Sequence, residues 1–103
     1  MSPQILHINF RLNVPCAEYE EIAASLAGEF SQLPGLIWKI WLIDEPGKEA
    51  GGIYLFKDES SMQAYLQGPL AAAVMAHPAL SDITARPYAV MEHCTAVTRG
   101  PIA

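Results

Sequence analysis

The sequence is poor in cysteine, in basic residues and in long apolar runs, and each shortage excludes a class of protein. Its two cysteines, Cys16 and Cys94, lie far apart and form no CxxC motif, which predicts reduced thiols rather than a redox centre. Six Lys and Arg stand against eleven Asp and Glu, giving a net charge of −5. A chain this acidic is not expected to bind nucleic acid or an anionic membrane. No apolar run approaches the roughly 20 residues that span a bilayer.

The N-terminus also lacks the marks of an export signal. MSPQILHINF has neither a basic start nor a small-residue cleavage site, so we expect a cytoplasmic protein. With 103 residues, 51% hydrophobic and 17% charged, the chain has the composition of a globular protein. We expect one domain over residues 1–103, with a core small enough to benefit from oligomerisation.

The first third of the chain predicts a strand followed by a helix. Residues 4–12 alternate, with an apolar stripe on one face and a mixed face that carries His7 and Asn9. Asn13 and Pro15 suit a helix start. Apolar residues then recur at helical spacing as far as residue 33, where Pro34 and Gly35 end the helix.

The run LIWKIWLI at residues 36–43 predicts a strand that is apolar on both faces. By strict alternation, Leu36 and Trp38 point with Ile40 and Leu42, while Trp41 and the one polar residue, Lys39, point the other way. A turn over residues 45–52, ending in two glycines, and a strand at 53–57 complete a hairpin. Helices of so short a chain can cover one face only, so a partner or a ligand must cover the other.

The second half predicts a helix in two pieces and a last strand. Asp58 suits an N-cap, Gly68 and Pro69 interrupt the helix, and PLAAAVMAH continues it to Pro78. The last strand is predicted at 82–92, and the tail from His93 onward is weakly specified. The order β-α-β-β-α-β predicts an α+β, ferredoxin-like antiparallel sheet with strand order 4-1-3-2 and both helices on one face. The bare face favours a homodimer.

Three segments resemble the YdhR-type monooxygenase family: Pro34–Trp41 (PGLIWKIW), Glu49–Phe56 (EAGGIYLF) and Asp58–Leu66 (DESSMQAYL). The resemblance also takes in the strand at Leu6–Asn13. It implies a dimeric α+β barrel of the kind found in antibiotic-biosynthesis monooxygenases. It further implies a cofactor-independent monooxygenase that acts on small aromatic or polyketide-like compounds and uses neither metal nor flavin.

Such chemistry needs a base, an oxyanion donor and aromatic walls around a planar substrate. We expect His7 to take the proton and Asn9 to hold the developing oxyanion. The expected substrate-binding residues are aromatic: Trp38, Trp41, Tyr54 and Tyr65. Each aromatic is also a plausible core residue, and a hydrogen-bonded structural pair would explain His7 and Asn9 equally well. Trp38 and Trp41, three apart on a strand, face opposite sides and cannot both line one pocket.

Other readings stay open for three further residues. Lys39 is either a guard against edge pairing or an anion-holding group. His77 is either a cation that interacts favourably with the dipole at the C-terminal end of a helix, or an axial ligand if the protein binds or degrades haem. His93 next to Cys94 is too small a set for a metal site, so no metal is predicted. A barrel that binds a lipophilic molecule without turning it over is the main alternative function.

Overall fold

The computed structural model describes residues 2–102, and in that range the chain forms four strands and four helices. They follow in the order β1 (Gln4–Leu12), α1 (Cys16–Ser31), β2 (Leu36–Asp44), β3 (Glu49–Phe56), α2 (Glu59–Leu66), α3 (Pro69–Met75), β4 (Leu80–Ala89) and α4 (Glu92–Val97). No helix in residues 2–102 is long and apolar enough to cross a membrane.

The strands form one antiparallel sheet in the order β2-β3-β1-β4. This is the predicted order 4-1-3-2 read from the other edge, so the ferredoxin-like α+β fold is confirmed. The long β1 strand lies in the centre and pairs with β3 on one side and β4 on the other.

One face of the sheet packs against the helices and holds the core. Alternate residues of β1 supply an apolar stripe, from Leu6 to Leu12, that is at most 5% exposed. Phe30 of α1 and Met62 of α2 bury their side chains in the same cluster. Burial of such a stripe stabilises the fold through roughly 25 cal/mol per Å² of apolar surface removed from water. The alternation of β1 therefore fixes which face the helices cover.

The local start and stop signals act as the sequence indicates. Asp58 caps α2, since its Oδ1 accepts a hydrogen bond of 2.8 Å from the backbone N–H of Ser61. That bond lowers the pKa of the Asp58 carboxyl. Gly35, with φ of 81°, takes the left-handed conformation that ends the segment after α1.

The hairpin between β2 and β3 turns earlier than predicted. β3 begins at Glu49, so Gly51 and Gly52 lie inside the strand, where they pair with Asn9 and Ile8. The turn itself is short, and Lys48 adopts a positive φ of 53°. Glycine pairs usually mark turns, but here they allow close approach of neighbouring groups to the strand.

A β-bulge interrupts the alternation that was predicted for β2. The register of β2 on β3 shifts between Leu36 and Trp38. Leu36 pairs with Phe56 and packs against the core, whereas Trp38 pairs with Leu55. The extra residue at a bulge changes the face of the residues that follow. Strict alternation predicted that Leu36 shares a face with Trp38. That prediction is wrong, because the bulge puts the two side chains on opposite faces.

The chain after β4 also differs from the prediction. β4 runs from Leu80 to Ala89 rather than over 82–92, and Ala89 pairs with Gln4, the first residue of β1. β4 ends at Ala89 because its partner β1 begins at Gln4 and has no earlier residue to pair with it. Residues beyond it form the short helix α4, and Trp38 Nε1 donates a hydrogen bond of 2.7 Å to the carbonyl oxygen of Pro101. That bond ties the C-terminal segment to the sheet.

Candidate functional site

A cavity of about 100 Å³ lies between the helix-covered face of the sheet, α1 and α3. Its walls are almost wholly apolar. The polar groups that reach it belong to Lys39, His77, Tyr19 and Tyr54, and none of the residues that line it within the described chain is acidic. An apolar space with a few convergent polar groups is the usual form of a small-molecule site.

Lys39 is the central charged group of this cavity. Its Nζ lies 3.5 Å from the ring centroid of Phe30, 3.4 Å from that of Trp41 and 4.5 Å from that of Tyr54. Each ring presents a negative face to the ammonium group, a cation–π contact worth about 0.5–2 kcal/mol. Three rings from α1, β2 and β3 thus form a cage around one amine.

Gly52 makes room for the lysine. A Cβ atom at Gly52 would lie 2.9 Å from Cε of Lys39 and 3.2 Å from the carbonyl oxygen of Ile40. Lys39 pairs with Tyr54, two residues along β3 on the same face as Gly52. The missing side chain lets the lysine lie flat across the neighbouring strand.

Burial lowers the pKa of the Lys39 ammonium from 10.5 to about 7. The cause is desolvation, because an apolar surrounding disfavours the charged form. The ring faces favour the charged form and act in the opposite direction. With a pKa near neutrality, Lys39 exists both as an amine and as an ammonium group at cellular pH. It can therefore accept a proton and also hold an anion.

Two buried tyrosines share a hydrogen bond beside the lysine cage. The hydroxyl oxygens of Tyr54 and Tyr65 lie 3.2 Å apart, and their rings pack at 5.3 Å between centroids. Burial is the main reason that the pKa of each phenol is raised. Both phenols stay protonated at neutral pH, so they can donate and accept hydrogen bonds but do not supply an anion.

His77 lies at another part of the cavity wall, just before β4. Its Nδ1 accepts a hydrogen bond of 3.1 Å from the backbone N–H of Ala79. In the neutral ring, Nε2 then carries the proton and can donate. The haem-ligand alternative for His77 stays a prediction.

The structure divides the predicted site residues between the two faces of the sheet. Trp41 and Tyr54 line the cavity, and Tyr65 lies directly behind Tyr54. His7 and Asn9 alternate with the core residues of β1 and so lie on the opposite face. The six residues therefore do not form one pocket. His7 and Asn9 do not line this cavity, and the catalytic roles expected of them stay predictions.

Local contacts give the residues on the opposite face a structural explanation. Nδ2 of Asn9 donates a hydrogen bond of 3.0 Å to Oε1 of Glu49 on the adjacent strand. Trp38 is held by its bond to Pro101. The predicted opposition of Trp38 and Trp41 is confirmed, since Trp41 packs edge-on against Phe30 at 5.2 Å on the helix side.

Sequence reasoning gave too little weight to Lys39 and did not single out Phe30. One signal for Lys39 was available: it lies two residues from Trp41 and so shares its face. Because the bulge precedes both residues, the alternation between them is intact. Phe30 belongs to a helical stripe that looks like ordinary core, and no local pattern marks its ring as part of a cage.

The fold and the cavity together define a ferredoxin-like α+β protein with a small aromatic site under its helices. Comparison with protein families goes further, because the model described as "Putative mono-oxygenase ydhR" matches residues 5–101. The chain belongs to this family, as the resemblance of its middle third indicated. A comparison with curated protein sequences gave no significant match.

Several solved structures share the fold. A protein of unknown function from Nitrosomonas europaea, NE2512, is 26% identical, with a TM-score of 0.74 over 88% of this chain and 91% of that one. SnoaB, a cofactor-independent oxygenase from Streptomyces nogalater, is 20% identical, with a TM-score of 0.72 over 87% and 94%. A dimeric ferredoxin-like protein of unknown function from Thermobifida fusca is 23% identical, with a TM-score of 0.67 over 87% and 93%.

Proposed function

We propose that the protein is a cofactor-independent monooxygenase that oxidises a small aromatic compound in the cavity beneath α1 and α3. The observation that carries the proposal is a lysine of lowered pKa held among three aromatic rings in an apolar cavity. Membership of the YdhR family supports the class of reaction. Oxygenation without a cofactor requires a substrate whose own anion can give electrons to oxygen. The site therefore has to make and hold that anion.

Lys39 is the base in this proposal. As a neutral amine it takes a proton from a phenol or from an activated carbon of the substrate, and the resulting ammonium stays beside the anion. Moving a proton from a phenol of pKa about 10 to an amine of pKa about 7 costs about 4 kcal/mol. Two opposite charges about 4 Å apart gain a similar amount at an effective dielectric of about 20. The Coulomb energy of the ion pair thus offsets the cost of the proton transfer, so the ion pair can form.

The oxygen step then proceeds on the substrate. The carbanion form of an activated CH2 group adds to O2, and the distal oxygen of the peroxide takes the proton back from the Lys39 ammonium. Loss of the second C–H proton with cleavage of the O–O bond gives a carbonyl and water. One oxygen atom enters the product, the other leaves as water, and the amine is restored. The apolar walls exclude solvent from the reactive anion.

We further propose that the active form is a homodimer joined through the sheet face opposite the helices. Ile40 and Leu42 on β2 are 51% and 36% exposed, and the similar protein from Thermobifida fusca is described as dimeric. Stacked sheets pack about 10 Å apart, which would bury these side chains. Ile40→Asp should shift the chain to a monomer in sedimentation at micromolar concentration. An unchanged dimer in that variant would contradict this interface.

Oxygen uptake tests the catalytic proposal. Metal-stripped protein should consume oxygen with anthrone-like or quinol-like compounds, and the rate should rise with pH through about 7 as Lys39 loses its proton. Lys39→Met should lose turnover while still binding the compound, whereas Lys57→Met, at an exposed lysine, should behave as the wild type. Binding without uptake across the panel would instead identify a barrel that holds a lipophilic molecule unchanged.

A further inference from the structure

We propose that Lys39 also captures small aromatic aldehydes and ketones as an imine, a reaction that needs no oxygen. The inference rests on the same cavity as the proposed function but not on oxygen chemistry. It assigns to the site a second class of ligand, carbonyl compounds with one aromatic ring.

The surroundings of the Lys39 amine favour its action as a nucleophile. Nζ of Lys39 lies within 4.5 Å of three ring centroids, and among the described residues that line the cavity there is no carboxylate to pair with it. An amine in an apolar pocket is partly unprotonated and free to attack a carbonyl carbon. The two other lysines of the chain, Lys48 and Lys57, are exposed. They provide comparison amines within the same molecule.

Other titratable groups near the cavity do not compete as nucleophiles. Tyr19 reaches it from α1, Tyr54 from β3 with Tyr65 of α2 behind it, and His77 from the segment after α3. Burial raises the pKa of all three phenols, so they stay protonated. Tyr19 and Tyr54, which line the cavity, can donate a hydrogen bond to a carbonyl oxygen. A donor near the carbonyl oxygen assists addition of the amine.

The reaction balances without an oxidant or a reductant. The nitrogen lone pair of Lys39 forms a C–N bond to the carbonyl carbon, and a proton passes from nitrogen to the former carbonyl oxygen. The carbinolamine then loses that oxygen as water, leaving a C=N bond. The imine takes up a proton to become an iminium ion. Because the faces of Phe30, Trp41 and Tyr54 attract a cation, the cage stabilises the iminium as it stabilises the ammonium.

The lining of the cavity selects the carbonyl compound. Aromatic side chains form part of the wall of this space of about 100 Å³, so a planar aromatic ring makes better contact with it than an aliphatic chain does. An aromatic aldehyde stacks its ring on the walls. A short aliphatic aldehyde lacks this contact and should react less selectively.

Reductive trapping tests the inference. Wild-type protein is incubated without oxygen at pH 7 with benzaldehyde and cyanoborohydride, and each labelled lysine is identified by peptide mass spectrometry. We expect Lys39 to be labelled on the order of tenfold to a hundredfold faster than Lys48 or Lys57, because a far larger fraction of its amine is unprotonated. Acetaldehyde should give a smaller preference. Equal labelling of the three lysines would overturn the proposal.

Comparing the labelling with oxygen uptake separates this chemistry from the oxygenase proposal, and a variant checks that the label is on Lys39. Lys39→Arg keeps a positive charge in the cage but has no amine, so labelling at residue 39 should vanish while the labelling of Lys48 stays unchanged. The selectivity ratio is measured within wild-type protein, so the test holds even if the variant folds poorly. Oxygen uptake with no preference for Lys39 would refute carbonyl capture alone. Selective labelling with no oxygen uptake would refute the oxygenase proposal alone.

Discussion

Replacing Lys39 by Met should make the protein more stable at pH 7 and should remove a pH dependence of its stability. Burial lowers the pKa of Lys39 from 10.5 to about 7, and each pKa unit corresponds to about 1.4 kcal/mol. The desolvated amine of this half-buried side chain therefore lowers the free energy of unfolding at pH 7 by about 4 kcal/mol relative to a lysine of ordinary pKa. Met has a similar length, no charge and favourable contacts with aromatic rings.

The sign of the pH dependence follows from the direction of the shift. Between about pH 7 and 10.5 the unfolded chain holds a proton on Lys39 that the folded chain has lost, so the stability of the wild type rises with pH. Below about pH 7 both states are protonated and the cost stays constant. Lys39→Met lacks the rise, so its advantage should shrink as the pH approaches 10.

The tyrosines add a second pH dependence of the stability, which cancels when Lys39→Met is compared with the wild type. Burial raises the pKa of Tyr19, Tyr54 and Tyr65, so the folded state keeps phenol protons that the unfolded chain loses above about pH 10. Their contribution to stability is present below that pH and is lost as the pH rises further. The loss is common to the wild type and the variant, and it cancels in their difference.

Urea unfolding followed by circular dichroism at pH 7, 8, 9 and 10 gives the measurement, at one protein concentration so that any association is constant. Lys57→Met serves as the control, because that side chain is exposed and its loss should not alter the slope with pH. If the curves for the wild type and Lys39→Met run parallel from pH 7 to 10, the lysine does not titrate in this window and the argument is refuted.

Two further predictions concern the groups around the lysine. Tyr54→Phe should lower the free energy of unfolding by about 1 kcal/mol, since it leaves the hydroxyl of Tyr65 without its partner; changing both tyrosines to Phe should cost less than the sum of the single changes, and strict additivity in urea unfolding would contradict the bond. Gly52→Ala should displace Lys39 and reduce oxygen uptake, because the new Cβ meets Cε of the lysine at 2.9 Å. Gly28→Ala is the matched control, since a Cβ there meets nothing within 4 Å, and equal activity of the two variants would count against the role of Gly52.

Much of the fold follows from patterns that short stretches of sequence carry. Three such signals each act over a few residues: the alternation in β1, the proline and glycine that follow α1, and the Asp58 cap. They therefore predict these elements without knowledge of the rest of the fold. The end of β4 could not be read this way. It is set by where β1 begins, at Gln4, which lies at the other end of the chain.

The site was harder to predict because it depends on which face each strand turns to the helices. His7 and Asn9 looked promising as polar groups on a face that has to be covered, but the cavity lies on the other side of the sheet. Lys39 looked like a surface charge because its strand lies at an edge. Its burial comes from the rings of Phe30 and Tyr54, which are distant in sequence.

The extra residue in β2 between Leu36 and Trp38 sets the phase of everything that follows it in that strand. Without the bulge, the same residues would alternate strictly along β2, and only one of two arrangements would be possible. Either Leu36 moves into water, or Lys39 and Trp41 rotate out of the core together. The first outcome exposes one leucine and the second dismantles the aromatic enclosure. The irregularity thus allows the strand to anchor at its first residue and still carry an amine inward three residues later.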